Sequence, residues 1–215
     1  MATVNSYTGS MPTPDRTSLD AIVLAAADLL ETEGLAGLTM NAVAQRVGVR
    51  PPSLYKRVEG RDQLIRLVAE STLLELAARL DPQLTVAGMA NAFRAFGRER
   101  PAAFQLVMIP PAGAPLPGQQ FGAAASAAVL RVATELAGEQ NALTAARTFT
   151  AWAAGFVSME LNGSFRLGGD VDEAWEFGVA SIVRAISAPE INAPEISAPE
   201  ISDGPAAPTA TRATG

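Results

Sequence analysis

The residues best suited to chemistry with another molecule lie between positions 39 and 61, in the stretch TMNAVAQRVGVRPPSLYKRVEGR. Five side chains in this stretch are basic, and Glu59 is the single acidic one. Arginine and lysine bind phosphates, and arginine can also donate two parallel hydrogen bonds to a guanine base. The chain as a whole has a formal net charge of −6. A local positive patch on an acidic chain therefore points to a polyanionic partner such as duplex DNA.

Two short helices joined by a tight turn would position these side chains. The first is predicted to run from Thr39, whose hydroxyl can cap its first turn, to Val47. Gly48 supplies the backbone freedom that a sharp turn needs. Pro51 and Pro52 suit the first turn of a second helix, because no amide donor is lost there. The pattern predicts a helix-turn-helix, although an ordinary helical hairpin with a solvated basic face would show the same local spacing.

The second helix of this pair is predicted to bury Leu54 and Val58. Its exposed face is then short, polar and basic, and narrow enough to enter the major groove of DNA. Ala44 on the first helix is small, so the two helices can approach closely. The sequence therefore predicts that the second helix contacts DNA.

The segment VGVRPPSLYKRVEGRDQLI resembles the signature of TetR-family transcriptional regulators. That family has a small residue, a Gly-Val turn, a Leu-Tyr pair and a basic residue opening the fourth helix, which correspond here to Ala44, Gly48-Val49, Leu54-Tyr55 and Arg61. Arg57 and Val58 stand where family members often have His-Phe or His-Val. The resemblance implies an all-α fold, with an N-terminal three-helix helix-turn-helix domain and a C-terminal helical bundle for ligand binding and dimerisation.

The resemblance and the residue types together predict the DNA contacts. The residues expected to bind phosphates, which give affinity with little choice of sequence, are Thr39, Tyr55, Lys56 and Arg61. The residues expected to face base edges are Arg50, Pro51, Pro52 and Ser53. We interpret the chain as a ligand-responsive repressor that binds a palindromic operator as a homodimer and is released by a hydrophobic small molecule. A helical-bundle enzyme and a protein-binding adaptor are the two alternatives.

The composition narrows the function classes further. The 215 residues are 48% hydrophobic and 18% charged, enough to bury a sizeable core, and they include no Cys and no His. The missing Cys excludes disulfides, thiolate zinc sites and a cysteine nucleophile, and the missing His excludes an imidazole base. An enzyme is therefore less expected, and no cofactor or metal is predicted. No apolar run is long enough to span a bilayer, and the N-terminus lacks the pattern of a signal peptide, so we expect a cytoplasmic protein.

Helices are predicted along most of the remaining chain. The first is expected to start at Thr17, where Thr17 and Asp20 are spaced like a capping box, and to end at Gly34. The fourth is predicted from Arg61 to about Arg79. The later helices are predicted over residues 83–100, 101–108, 119–137, 141–162 and 170–187, with a Pro/Gly-rich loop over 110–118. No segment shows the two-residue alternation of a strand, which again indicates an all-α fold.

Residues 83–167 resemble the C-terminal domain of a TetR subgroup named for a Trp-His-Gly motif. The segments FRAFGRERPAAFQLVM and AWAAGFVSMELNGSFRLGGD carry this resemblance. Ala154 precedes Gly155 where the subgroup has His, so any ligand contact that this His makes is absent from the chain.

The same region gathers aromatic and methionine side chains, which either form plain core or line a cavity for an apolar effector. The residues predicted to line such a cavity, between helices 5 to 8, are Phe93, Phe96, Phe104, Met108, Phe149, Trp152, Phe156 and Met159. The candidate polar partners for the ligand are Asn91, Arg94, Gln105, Arg147 and Glu160. The expected effector is a mainly hydrophobic small molecule.

The last two helices are predicted to pair with those of a second copy in a four-helix homodimer interface. The small residues that would allow close packing there are Ala145, Ala146, Ala153 and Ala154, and the alternative is that these helices are interior to a monomer. The predicted domains are a flexible arm over 1–16, a helix-turn-helix domain over 17–63, a ligand-binding and dimerisation domain over 64–187, and a disordered Ala/Pro/Glu repeat tail over 188–215. Arg16 in the arm could contact DNA and the acidic tail could compete with DNA for the basic patch, although segments without such roles are the simpler interpretation.

Overall fold

The computed structural model describes residues 18–187, and within this range the chain forms nine α-helices and no β-strand. The predicted all-α class is confirmed. The predicted arm over 1–16 and the repeat tail over 188–215 lie outside the described residues. The helices are α1 (Leu19–Gly37), α2 (Met40–Val47), α3 (Pro51–Leu54), α4 (Arg61–Leu80), α5 (Val86–Glu99), α6 (Pro101–Met108), α7 (Gln119–Ala137), α8 (Ala142–Leu161) and α9 (Val171–Ser187).

Helix α1 has its N-cap one residue later than predicted. The Ser18 hydroxyl accepts a hydrogen bond from the amide of Ala21 at 3.2 Å, so Ser18 satisfies a first-turn donor that has no partner within the helix. The prediction that Thr17 begins this helix is therefore wrong, and Thr17 itself lies outside the described residues. Gly34 interrupts the helix with a φ of 69°, so regular helix stops where the sequence predicted it would.

The turn between α2 and α3 forms as predicted. The Thr39 hydroxyl caps α2 by accepting a hydrogen bond from the amide of Ala42 at 3.2 Å. Gly48 takes a left-handed backbone conformation with a φ of 74°, which side chains other than glycine rarely adopt. The amide of Val49 then donates to the carbonyl of Ala44 at 2.9 Å, which closes the turn.

Helix α3 is shorter than the predicted second helix. Pro51 opens it and Leu54 ends it, and residues 55–57 form a turn. The amide of Val58 still donates to the carbonyl of Leu54 at 2.9 Å, and both side chains are fully buried as predicted. Helix geometry does not continue to Val58, because the chain must change direction before α4 begins at Arg61.

The first three helices and the start of α4 enclose one apolar core, and we call this unit the head. Ala44 is almost fully buried where α2 and α3 meet the rest of the core, consistent with the close approach predicted for a small residue. The other residues that are nearly or wholly buried in the head include Ile22, Leu30, Leu38, Val43, Leu64, Ile65 and Val68.

The end of α4 and helices α5 to α9 form a second unit, which we call the body, and α4 and α6 connect it to the head. Along α4, residues as far as Ala69 belong to the head core, whereas Leu76 and Leu80 belong to a second core formed with α5 to α9. Ala103 and Leu106 of α6 pack into the head core. A displacement of α4 or α6 would therefore be transmitted between the two cores.

Glu31 of α1 holds α6 against the head. Its carboxylate accepts hydrogen bonds from the amides of Ala102 and Ala103, each at 3.0 Å, and lies 3.4 Å from the guanidinium of Arg100. These amides belong to the first turn of α6, where backbone donors lack partners within the helix and the helix dipole favours negative charge. One acidic side chain of the head thus caps a helix of the body.

The four alanines predicted to face a partner subunit are packed inside their own chain. Ala145 and Ala146 pack against α7 in a small apolar cluster, and Ala153 is almost fully buried in the body core. Ala154 is half-buried against the same core. Their assignment to a subunit interface is corrected, because the α8 face that carries them is the face that α8 presents to its own body.

Within residues 18–187, none of the helices has the length and apolarity needed to cross a membrane.

Candidate DNA-binding surface and ligand cavity

The surface of α3 and the following turn carries the polar side chains that the sequence predicted. Tyr55 is 56% exposed, and Arg50 and Lys56 are also exposed. Leu54 and Val58 point the other way into the head core, where both are fully buried. The alternation of buried and exposed positions thus leaves the basic face of this short segment open to solvent.

The two prolines and Ser53 complete the surface at the start of α3. Pro52 is exposed, whereas Pro51 and Ser53 are half-buried. Two consecutive prolines fix the backbone φ angles at this point, so the direction of Arg50 immediately before them is restricted. The residues predicted to meet base edges therefore lie together at one end of α3.

Thr39 combines a structural bond with an exposed position. Its oxygen accepts the capping bond from Ala42, and its O–H remains available as a donor. Since the side chain is exposed at the N-terminus of α2, it can donate to a phosphate without giving up the cap.

Arg61 makes contacts that the sequence did not predict. Its Nε donates to the carbonyl of Leu38 at 2.8 Å, and its Nη2 donates to the carbonyl of Leu35 at 2.6 Å. These bonds fasten the start of α4 to the corner between α1 and α2. A guanidinium has five N–H donors, so the exposed Arg61 side chain keeps donors for a further acceptor.

The body contains a cavity of about 160 Å³ among α4, α5, α6, α7 and α8. A ligand cavity was predicted between helices 5 to 8, and the wall of this one also includes Leu73, Leu76 and Leu80 of α4. Three of the eight predicted residues line it, namely Phe93, Met108 and Phe149.

The other five predicted residues lie elsewhere. Phe96 and Phe104 are fully buried in the core and do not reach the cavity. Trp152 and Phe156 pack around Trp175, with 4.9 Å between the two indole centroids. Met159 is 47% exposed. Aromatic residues at helical spacing thus divide between core, an aromatic cluster, the surface and the cavity wall.

The polar side chains at the cavity are not the predicted ones. The five candidates do not line it, namely Asn91, Arg94, Gln105, Arg147 and Glu160. Asn91, for example, accepts a hydrogen bond from the indole N–H of Trp175 at 2.9 Å. Ser126 of α7 and Thr150 of α8 line the cavity instead, and no pattern in the sequence marked them as lining residues.

Most of the buried charge in the body belongs to one cluster that joins α5, α8 and α9. The buried Arg94 donates to both carboxylate oxygens of Glu160, at 2.9 and 2.7 Å, and lies 2.8 Å from Asp172. Burial alone would raise the pKa of Glu160, but the hydrogen bonds and charges of Arg94 and Arg98 outweigh it and hold that pKa below its ordinary value of 4.5. A hydrogen bond from Arg98 and the charge of Arg94 lower the pKa of Asp172. These groups satisfy one another and leave the cavity uncharged.

Comparison with known proteins gives a consistent assignment for both units. Residues 22–68 match the family profile described as bacterial regulatory proteins, tetR family. Residues 86–182 match the profile described as a tetracyclin repressor-like C-terminal domain. An uncharacterized HTH-type transcriptional regulator, Rv0681 from Mycobacterium tuberculosis, is 30% identical over 164 residues, covering 72% of this chain and 75% of that protein. The chain belongs to the TetR family of transcriptional regulators.

Two further relatives resemble this TetR-family regulator in part or in fold. The tetracycline repressor protein class E from Escherichia coli is 36% identical over 67 residues, which cover 31% of this chain and 32% of the repressor. A TetR variant from Acinetobacter baumannii, crystallised in complex with minocycline, superposes with a TM-score of 0.60 at 22% identity. That superposition covers 78% of this chain and 95% of the other, and at this identity it shows a shared fold.

Proposed function

We propose that this TetR-family regulator is a cytoplasmic repressor that binds a palindromic operator as a homodimer and leaves it when a hydrophobic small molecule occupies the body. The observation that carries the proposal is the division of residues 50–58 into a buried and a solvent-facing side. Leu54 and Val58 anchor the segment in the head core, while Arg50, Tyr55 and Lys56 remain exposed. Such a face can enter a major groove without unfolding the head.

The proposed contacts fall into two classes. The contacts that give affinity and salt dependence are to phosphates, from Thr39, Tyr55, Lys56 and Arg61. The contacts that choose the sequence are to base edges, from Arg50, Pro51, Pro52 and Ser53, with arginine suited to guanine and the proline rings to thymine methyl groups. The proposed DNA-binding unit is residues 17–63, and the proposed ligand-binding and dimerisation unit is residues 64–187.

The exposed side of α8 and α9 supports a two-fold interface. Phe177 is 71% exposed and Met159 is 47% exposed, so both helices leave large apolar side chains uncovered in the single chain. The small residues Ala151 and Gly155 are also exposed on α8, eight and four residues before Met159. An exposed apolar surface that includes small residues favours close packing of helices from two copies, and two-fold symmetry would present two α3 segments to a palindrome.

Release requires that the ligand bind one conformer of the dimer more tightly than the other. The cavity is walled by α4 and α6, and both helices also pack into the head core. We infer that a ligand which favours a different packing of these helices changes the distance between the two heads, so that they no longer match the operator. The solved minocycline complex of the fold relative from Acinetobacter baumannii supports a small-molecule site on this architecture.

We further propose that the body belongs to the subgroup named for a Trp-His-Gly motif. The C-terminal match over residues 86–182 spans both segments that carry this likeness. Ala154 stands in the place of the subgroup's His and is half-buried against the body core, so a ligand of this chain would be held without that contact.

Gel-shift titrations with DNA from upstream of the chain's own coding sequence test the proposal. Lys56→Ala should weaken binding by a similar factor on every sequence and flatten the slope of log affinity against log salt by about one unit per lysine removed. Arg50→Ala should weaken operator binding by about 1–3 kcal/mol per half-site and relax the choice of base at one position.

The matched control is Arg166→Ala, which removes one exposed positive charge from the loop between α8 and α9, where its Nε donates to the nearby carbonyl of Gly163. It should leave both the affinity and the salt slope unchanged. A protein that shifts no upstream fragment, or an Arg166→Ala variant that loses as much affinity as Lys56→Ala, would contradict the assigned surface.

A further inference from the structure

The size of the body cavity limits what it can hold. Its volume is about 160 Å³, and a protein cavity of about 150 Å³ accommodates one benzene molecule. A second apolar pocket of about 20 Å³ shares Met89, Val129 and Phe149 with it and adds little space. The cavity therefore fits one six-membered ring or a chain of similar volume, with any further group directed towards solvent.

The wall of the cavity carries no charged side chain. Arg94 and Glu160, which were predicted from the sequence as candidate polar partners of the ligand, are bonded to each other and are not part of the wall. An ionised group beside the two hydroxyls of the cavity mouth would give up part of its hydration and find no opposite charge in return. The wall thus discriminates against carboxylates and ammonium compounds.

Two hydroxyl groups supply the polar part of the wall. Ser126 on α7 is exposed and Thr150 on α8 is half-buried, which places them where the cavity opens towards solvent. Neither hydroxyl is used in a hydrogen bond within the part of the chain that the structure describes. Each can donate one hydrogen bond and accept others, so together they suit a neutral hydroxyl or carbonyl group.

We propose that the effector is an uncharged compound of about the size of a substituted benzene, which buries its ring among Phe93, Met108 and Phe149 and bonds its one polar group to Ser126 and Thr150. The proposal rests on the function proposed above and names the ligand class of the same cavity. Small size and neutrality follow from the cavity itself, since it has room for one ring and its wall offers two hydroxyls and no charged group.

Titration calorimetry and ligand-observed NMR on the full chain can test this with three probes of one shape. Benzyl alcohol should bind, and its dissociation constant should be at least about tenfold lower than that of benzoate or benzylammonium. Equal or tighter binding of either ion, or no binding of any of the three, would overturn the proposal.

Two sets of variants assign the site. Gly122→Leu should weaken benzyl alcohol binding, because Gly122 lines the cavity and the space beside its Cα is open, so leucine can fill it and is also a better helix former. Ala124→Leu, on the exposed side of the same helix, is the matched control and should bind as the parent does. A Gly122→Leu variant that binds benzyl alcohol normally would also overturn the proposal.

The polar contact has its own test. The pair Ser126→Ala and Thr150→Val should weaken benzyl alcohol about fivefold, the equivalent of one lost hydrogen bond, and leave toluene binding unchanged. Equal losses for both ligands would overturn the assignment of the hydroxyls.

Gel shifts with upstream DNA, run on the same samples, separate this proposal from the broader one. If the chain binds DNA with sequence preference but prefers a charged probe, the ligand class is wrong and the regulator stands. If it binds benzyl alcohol as described but no DNA, the cavity assignment stands and the proposed repressor function fails.

Discussion

Arg61 shows how one side chain can hold the head together and still face DNA. Two of its donors are engaged by the carbonyls of Leu35 and Leu38, which lie just after the Gly34 interruption of α1. Those carbonyls belong to the end of a helix, where acceptors lack partners within the helix. The guanidinium supplies the missing donors and fixes where α4 starts relative to α2.

Arg61→Lys should therefore affect folding as well as DNA binding. Lysine keeps the positive charge, but one ammonium cannot reproduce the forked contact with two carbonyls. We expect a loss of about 1 kcal/mol in the free energy of unfolding, measured by urea titration, with the salt slope of DNA binding retained. Arg66→Lys, on an exposed part of the same helix, is the control. An unchanged unfolding free energy in Arg61→Lys would show that the two carbonyl bonds contribute little in solution.

At the scale of elements, Glu31 of the head links α1 to α6 by hydrogen bonds to backbone amides. Glu31→Ala removes the acceptor for two first-turn amides of α6 and one partner of Arg100. The loss of such a cap destabilises by about 1–2 kcal/mol. Hydrogen exchange followed by mass spectrometry should show faster exchange in α6 and at the adjoining end of α1, with α8 unaffected.

Glu33→Ala is the matched control, since Glu33 is an exposed carboxylate of the same helix. It should leave the exchange of α6 unchanged. Equal effects from Glu31→Ala and Glu33→Ala would mean that general helix charge, and not the cap, determines the stability of α6.

The charged cluster of α5, α8 and α9 makes stability depend on pH in a defined direction. Because the folded pKa of Glu160 lies below its ordinary value of 4.5, its contribution to stability is complete above that pH and is lost as the pH falls through the lowered pKa. Glu160→Gln leaves the buried Arg94 without its main partner and should destabilise the fold by about 3 kcal/mol at pH 7.

Urea unfolding can follow this effect from pH 7 to pH 3. All samples are kept at one protein concentration, because the stability of the proposed dimer depends on concentration. The difference between the parent and Glu160→Gln should narrow as the pH falls below 4.5. A difference that stays constant over this range would show that the carboxylate charge of Glu160 is not the stabilising feature.

Local features of the sequence predict where the helices and turns begin and end. The residues of the cavity wall were missed, because they depend on contacts between distant elements. Thr39, Gly48 and Pro101 act on the backbone within a few residues of themselves, so the starts of α2 and α6 and the turn after α2 could be predicted from residue type. The wall of the cavity could not, because its α4 residues look like any other buried stripe and the direction of that stripe depends on how α4 crosses α7. Ser126 and Thr150 were missed because hydroxyls on helices carry no sequence pattern that separates a ligand contact from a solvated surface.

At the scale of the whole molecule, the proposed function depends on two heads held at a fixed distance. The half-sites of a palindrome lie about 34 Å apart when they are one helical turn apart. In the proposed dimer, the only connection between the two heads runs through the bodies and the α8 and α9 surfaces that join them. A change at that surface should therefore affect DNA binding without touching any residue near DNA.

Gly155→Arg tests this directly. Gly155 is exposed at the middle of α8 and has open space beside its Cα, so the arginine side chain can be accommodated in one chain but not between two closely packed helices. Arginine is also about 1 kcal/mol more favourable than glycine within a helix, so circular dichroism should show an intact helical fold. Sedimentation velocity should show a shift from dimer to monomer. The affinity for a palindromic operator should fall far more than the affinity for a single half-site, because only the dimer binds both half-sites at once. Ala95→Arg places the same charge on the exposed side of α5 and should change neither the oligomeric state nor the operator affinity. A Gly155→Arg protein that remains dimeric would mean that a different surface joins the two subunits.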